Sequence, residues 1–292
     1  MGRSSVASIR DILALIKLRQ TLLLLLAMYA GYAIGGGLVR PDIVEHVTIG
    51  LLGFASIAAT TALNMVYDAD IDAVMERTRD RPIPRGAVDP RLVERVSIAI
   101  VVASCMAGLV LVNALFALLM LTGFLFDILV YTIYAKRRTV FNIFLGAVAG
   151  AAPAVGGYAA AKNVIDVQGL ALGALIVAWI PAHIWLLAMH YKDDYRRARI
   201  PMLPVVASPA ASKKGIAASI AASIAASIVV CRWCSVPAST LCLAGVALFI
   251  YALRLLPGCK PGCCIKPFKA VNIALGLVLA GVILESILVP VS

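Results

Sequence analysis

The chain has 292 residues, of which 62% are apolar and only 14% charged, and its mean hydropathy is +0.97. Ordinary soluble domains are roughly 45–50% apolar and about 25% charged, so this composition excludes a water-soluble globular domain, a secreted disulfide scaffold and a disordered chain. The net charge of +11 fits either a nucleic-acid binder or a membrane protein that gathers Lys and Arg in its cytoplasmic loops, and the positions of the charges decide between them.

A membrane-crossing helix needs about 20 apolar residues. Nine such stretches follow one another, at 12–38, 44–67, 92–112, 114–135, 141–161, 167–190, 213–232, 236–256 and 269–289. Arg3, Arg10, Lys17 and Arg19 stand before or at the start of the first Leu run. That run is too long for a signal-peptide core and no A-x-A-like cleavage site stands out, so it reads as a retained first span. Pro153 and Pro181 lie inside spans, where neighbouring helices can satisfy the backbone groups that proline frees. The small-residue run Gly146 to Gly157 lets helices approach closely. Ile216 to Ile228 repeats Ile-Ala-Ala-Ser and reads as packing rather than as a site.

Between these spans, 23 of the 26 Lys and Arg residues fall on one side, leaving Arg40, Lys162 and Arg232 on the other. The positive-inside rule then places the N-terminus in the cytoplasm and the C-terminus outside, and the nucleic-acid reading is excluded. The expectation is an all-α polytopic protein of the cell membrane with nine transmembrane helices. It forms a single transmembrane domain over 1–292, with cytoplasmic loops at about 68–91, 136–140 and 191–212.

The second span ends in Asn64-Met-Val-Tyr-Asp68-Ala-Asp70-Ile-Asp72. Asn64, Asp68 and Asp72 are spaced i, i+4, i+8 and share one face of a continuing helix, with Asp70 off that face. Carboxylates near the bilayer are expensive and need partners. Oxygens converging on one face suit Mg²⁺, which takes one or two carboxylates and completes its shell with water and substrate phosphate. Arg77, Arg79 and Arg81 follow at once and offer planar donors to phosphate oxygens. The alternative is a solvated loop in which acids and arginines pair with each other.

The sixth span ends in His183 and His190, then Asp193-Asp194 and a run of arginines. Spans two and six run in the same direction, so both acidic clusters emerge on one face, as does the Lys136-Arg137-Arg138 turn. Acids, metal and cations around one anion would form an ionisation site, in which charge building on a departing diphosphate meets preorganised cations.

At these residues the sequence resembles the UbiA superfamily of intramembrane prenyltransferases, and within it the heme O synthase branch. The family's first motif, Asn-Asp-x-x-Asp-x-x-x-Asp, is matched by Asn64, Asp68 and Asp72, with Met65 in place of the usual Asp. Met75 to Pro82, Tyr131-Thr132 with Lys136 to Thr139 and Asn142, and Pro181 through Asp194 to Val205 resemble that branch as well. The likeness covers most of residues 10–206. It implies that farnesyl diphosphate binds through Mg²⁺ held by Asn64, Asp68 and Asp72 on one side and Asp193 or Asp194 on the other. It implies that Arg77, Arg81, Lys136 and Arg137 bind the diphosphate, and that heme b accepts the farnesyl group through a vinyl carbon. Asn64, Asp68, Asp72 and Asp194 are the expected catalytic residues, and His183 is a candidate heme contact. The lipid bilayer is the expected surroundings, with heme A synthase or oxidase assembly proteins as candidate partners.

Two other readings stay open in the sequence: a UbiA member with another acceptor, such as a quinone precursor or an archaeal lipid glycerol ether, and a polytopic metal or ion transporter. The arginines speak against a cation path. Cys231-x-x-Cys234 and Cys259-x-x-x-Cys263-Cys264 fall at opposite membrane faces and cannot share one metal. Asp127, inside the fourth span, is a functional candidate, expected either to face the cavity or to pair with Tyr131 at i+4. Glu285 is expected at the outer interface.

Overall fold

The computed structural model describes residues 8–289, so the reading of Arg3 lies outside the described residues. In chain order the helices are α1 (Ile9–Leu15), α2 (Leu18–Ile34), α3 (Ile43–Tyr67), α4 (Ala69–Val74), α5 (Pro90–Leu111) and α6 (Ala114–Leu125). A π-helical segment, Phe126–Ala135, continues α6. There follow α7 (Asn142–Lys162), α8 (Val167–His190), α9 (Lys192–Arg197), α10 (Leu203–Val206), α11 (Pro209–Cys231), α12 (Val236–Leu255) and α13 (Ile265–Leu288). Among the described residues there is no strand.

Among the described residues eight helices are long and apolar enough to cross a membrane, and α1 with α2, bent by 51°, makes up to nine. The chain is a multi-pass helical membrane protein. The exposed faces of α5 and α6 carry Leu109, Val110 and Leu118, as a surface in contact with hydrocarbon should.

The first span departs from the continuous helix expected over 12–38. It is broken at Lys17, which adopts a left-handed conformation with φ 45°, uncommon for a residue with a side chain. The break leaves the Ile16 carbonyl outside the helical ladder. Thr21 Oγ1 (2.6 Å) and, from α3, Thr61 Oγ1 (3.0 Å) donate to it instead. Two of the expected loops also contain short helices, α4 in the first and α9 and α10 in the last.

Pro181 has no N–H to give to the turn before it, and α8 opens there. Ser219 of α11 enters the gap: its hydroxyl donates to the Ala178 carbonyl (2.5 Å) and accepts from the Ala182 N–H (2.8 Å). A side chain inserted into the i→i−4 ladder is a recognised cause of a helix kink. The Ile-Ala-Ala-Ser repeat therefore does more than pack. Ser219, Ser223 and Ser227 form a buried stripe on α11.

Helices α2 and α7 cross with almost no side chain between them. A Cβ on Gly31 would sit 1.9 Å from the Ala154 carbonyl oxygen, and one on Gly157 would sit 1.8 Å from that of Met28. Only glycine permits that approach.

Candidate active site

The end of α3 carries the first acidic cluster much as the spacing requires. Asp68 caps α3 with φ −92° and ψ 3°. The helical register survives the joint, because Asp68 N donates to Asn64 O (3.0 Å) and Asp72 N to Asp68 O (2.8 Å). Asn64, Asp68 and Asp72 are all buried and all line one cavity of about 590 Å³.

Cations meet them from two other segments. Lys136 Nζ lies 2.5 Å from Asp68 Oδ2, and Arg81 Nη1 lies 2.6 Å from Asp72 Oδ2. Burial acts to strip the Lys136 proton, but the Asp68 carboxylate with its hydrogen bond and the neighbouring tyrosines together outweigh it and hold the ammonium charged. Arg77 also lines the cavity and stacks over the Tyr191 ring, 5.3 Å from its centroid. From this polar end the cavity runs into an apolar body walled by Phe116, Leu119, Met120, Trp179 and Phe268.

The second cluster is arranged differently from the sequence expectation. Neither Asp193 nor Asp194 lies on the cavity wall. Asp194 is buried, but its carboxylate accepts the backbone N–H groups of Glu76 (3.1 Å) and Arg77 (3.2 Å) and pairs with Arg197. It ties α9 to the turn that carries Arg77. Asp193 is exposed and pairs with Arg196 at 2.9 Å. Arg137 is likewise off the wall, in a bidentate pair with Asp70 at 2.6 and 2.7 Å that holds the Asp70 carboxyl below the usual range. Asp70 is thus the loop partner of an arginine, as its place off the shared face implied.

His183 lines the cavity, its ring between Trp179 (4.4 Å) and Phe268 (5.0 Å), with Nδ1 buried and unpartnered. His190, two turns on, does not reach the wall and meets Tyr191 edge to face. Asp127 takes a partner that the sequence did not suggest: its Oδ2 accepts from Asn64 Nδ2 at 3.2 Å, and Tyr131 lines the cavity separately. Sequence reasoning also passed over Lys17, Arg19 and Gln20, counted only as interface charge or not at all, which line the cavity. Polar residues at the mouth of a span that is otherwise leucine were the available signal. Tyr195 joins them from α9.

The cysteines form no metal site, and among the described residues no group of three or more His, Cys, Asp or Glu is placed to hold an ion. Cys234 and Cys242 Sγ atoms lie 4.0 Å apart beside Glu285, which accepts from the Ser235 N–H (2.6 Å). The first cluster does fit Mg²⁺. Asp68 Oδ1 is buried with no hydrogen-bond partner, a costly state unless a ligand completes it. Two carboxylates and an amide make a donor set that leaves places for water and phosphate.

An apolar chamber between membrane helices, closed at one end by carboxylates and by cations suited to an anion, is the architecture of an intramembrane prenyltransferase. The UbiA prenyltransferase family matches residues 24–273. A protoheme IX farnesyltransferase of Hyperthermus butylicus is 45% identical over 284 residues, covering 95% of this chain and 94% of that one. One of Thermofilum pendens is 39% identical over 274 residues, covering 92% and 96%. Among solved structures, one from work on digeranylgeranylglyceryl phosphate synthase in membranes shares the fold with a TM-score of 0.76 at 19% identity, covering 96% of this chain and 99% of that one. A UbiA homologue from Archaeoglobus fulgidus bound to DMAPP and Mg²⁺ has a TM-score of 0.69 at 17% identity, covering 93% and 99%. The chain belongs to the UbiA prenyltransferase family.

Proposed function

We propose that the protein transfers a farnesyl group from farnesyl diphosphate to a vinyl group of heme b, giving heme O. One observation carries the reading: carboxylates, cations and an apolar pocket large enough for an isoprenoid share one cavity. The relatives named protoheme IX farnesyltransferase supply the acceptor.

In this reading the diphosphate lies between Arg77, Arg81 and Lys136, with Lys17 and Arg19 at the same end of the cavity. Asn64, Asp68 and Asp72 would hold Mg²⁺, which would supply charge neutralisation for the leaving diphosphate. The allylic C–O bond breaks and its electron pair leaves with the diphosphate, met by cations already in place. The apolar wall keeps water from the allylic cation until the vinyl group attacks it. Water then adds to the carbon next to the macrocycle and loses a proton, leaving a hydroxyethylfarnesyl group. His183, with its free Nδ1 on the wall, is the residue we place against the heme. Asp194 serves the site by fixing the Arg77 turn. Asp193 and Arg137 are held in ion pairs off the cavity wall, and this reading gives them no part in holding the diphosphate. We place this end in the cytoplasm, in line with the basic residues gathered there. The product would pass to a heme A synthase or an oxidase assembly partner.

The test is diphosphate release by purified protein with Mg²⁺ and farnesyl diphosphate, with and without heme b. The reading predicts release that depends on heme b and is lost in His183→Ala together with spectrally detected heme binding. Unchanged heme affinity and turnover in that variant would remove His183 from the site, and release indifferent to heme b would remove the acceptor.

A further inference from the structure

We propose that Asp127, with Thr132, is a positioning residue that turns the Asn64 side chain so that its carbonyl oxygen serves the metal site. The proposal rests on the reading of Asn64 as a ligand given above. The Thr132 hydroxyl donates to the Asp127 carbonyl at 2.7 Å, so its proton is committed and its oxygen can only accept. It accepts from Asn64 Nδ2 at 3.1 Å, and Asp127 Oδ2 accepts from the same nitrogen at 3.2 Å. Both amide hydrogens are spent on this pair. The amide carbonyl Oδ1 therefore points away from them, on a residue that lines the cavity with Asp68 and Asp72.

The π-helical segment makes the arrangement possible. In an α-helix of 3.6 residues per turn, the nine residues from Asp127 to Lys136 make two and a half turns and put the two on opposite faces. A π-turn holds about 4.4 residues, so the same nine make about two turns and face the same way. The backbone shows this register, with Lys136 N donating to Tyr131 O at 2.8 Å. Asp127, Tyr131 and Lys136 accordingly all line the cavity. An intramembrane carboxylate is expensive, and this one has an identifiable use: outer partners that orient a metal ligand typically change metal affinity by about 10- to 100-fold when removed.

The test uses the purified full chain in detergent and reads Mn²⁺ binding in the presence of inorganic diphosphate by electron paramagnetic resonance. Asp127→Ala should weaken Mn²⁺ binding by about tenfold, with the Mg²⁺ requirement of turnover raised in parallel. Asp127→Asn, which keeps an accepting oxygen and the shape of the side chain, should stay within about threefold of the parent. Asn64→Ala should weaken binding, and Asn64→Ala/Asp127→Ala should be no weaker than Asn64→Ala alone, since the second residue acts through the first. Parent-like binding in Asp127→Ala, additive losses in the double variant, or equal losses in Asp127→Ala and Asp127→Asn would each overturn the proposal while leaving Asn64 a ligand. Parent-like binding in Asn64→Ala would instead remove Asn64 from the ligand set, and this proposal with it.

Discussion

At the scale of single residues, the site divides acids that face the cavity from acids that hold the loops. Asp68 and Asp72 are buried on the wall, whereas Asp70 is exposed and paired with Arg137. Asp68→Ala and Asp72→Ala are expected to lower turnover by at least about 100-fold, the scale of losing a preorganised charge contact. Asp70→Ala should remain within about twofold, since exposed pairs contribute about 0.2–1 kcal/mol. Initial rates with saturating farnesyl diphosphate separate the three, and equal tolerance would break the metal-site argument. Asp194→Ala and Asp193→Ala should differ in the same way. The first releases the Glu76–Arg77 backbone and raises KM for the diphosphate substrate, and the second leaves KM unchanged. The contrast marks what sequence could convey at this scale. The Asn64–Asp68–Asp72 face was legible because a helical register carries through the joint. The task of Asp194 was not, because its partners are backbone groups 117 and 118 residues away.

At the scale of elements, the spans were legible from apolar run length, and their distortions were not. The serine stripe of α11 shows why. Nothing in the period of Ile-Ala-Ala-Ser says that Ser219 meets the gap opened by Pro181, since that depends on which helices are neighbours. Ser219→Ala should destabilise the protein by about 1–3 kcal/mol, because it leaves a buried N–H and a half-buried carbonyl unpartnered. Gly157→Ala should cost at least about 1–3 kcal/mol by forcing α2 from α7. Thermal unfolding in detergent measures both, and a parent-like midpoint in either would contradict the corresponding contact. The π-helical segment was hidden for a related reason: 3.6-residue periodicity places Asp127 and Lys136 on opposite faces. At the other end of the bundle, Asp166 caps α8 and accepts the Tyr158 hydroxyl at 2.6 Å, which holds its carboxyl below the usual range. A depressed carboxyl stabilises the fold above its unfolded value and loses that effect as pH falls through the folded one. Asp166→Asn should therefore be less stable than the parent at pH 7, and the gap should close below about pH 4.

At the scale of the whole molecule, the surplus of positive charge and the apolar bulk serve one purpose. The basic segments surround the mouth of a cavity whose body is hydrocarbon, so an anion and an isoprenoid can be held end to end by one ligand. The sequence placed this rim on a single face through its loop charges, and the helical bundle closes the chamber beneath it. The acceptor is what separates this account from other prenyl transfers in such a chamber. The direct measurement is mass spectrometry of the products formed by the purified protein with Mg²⁺ and farnesyl diphosphate, offered heme b and 4-hydroxybenzoate in competition. The account predicts a mass for heme b carrying one farnesyl group and one hydroxyl, and no prenylated phenolic acid. Prenylation of 4-hydroxybenzoate alone would contradict the heme assignment, and no prenylated product with any acceptor would contradict the account as a whole.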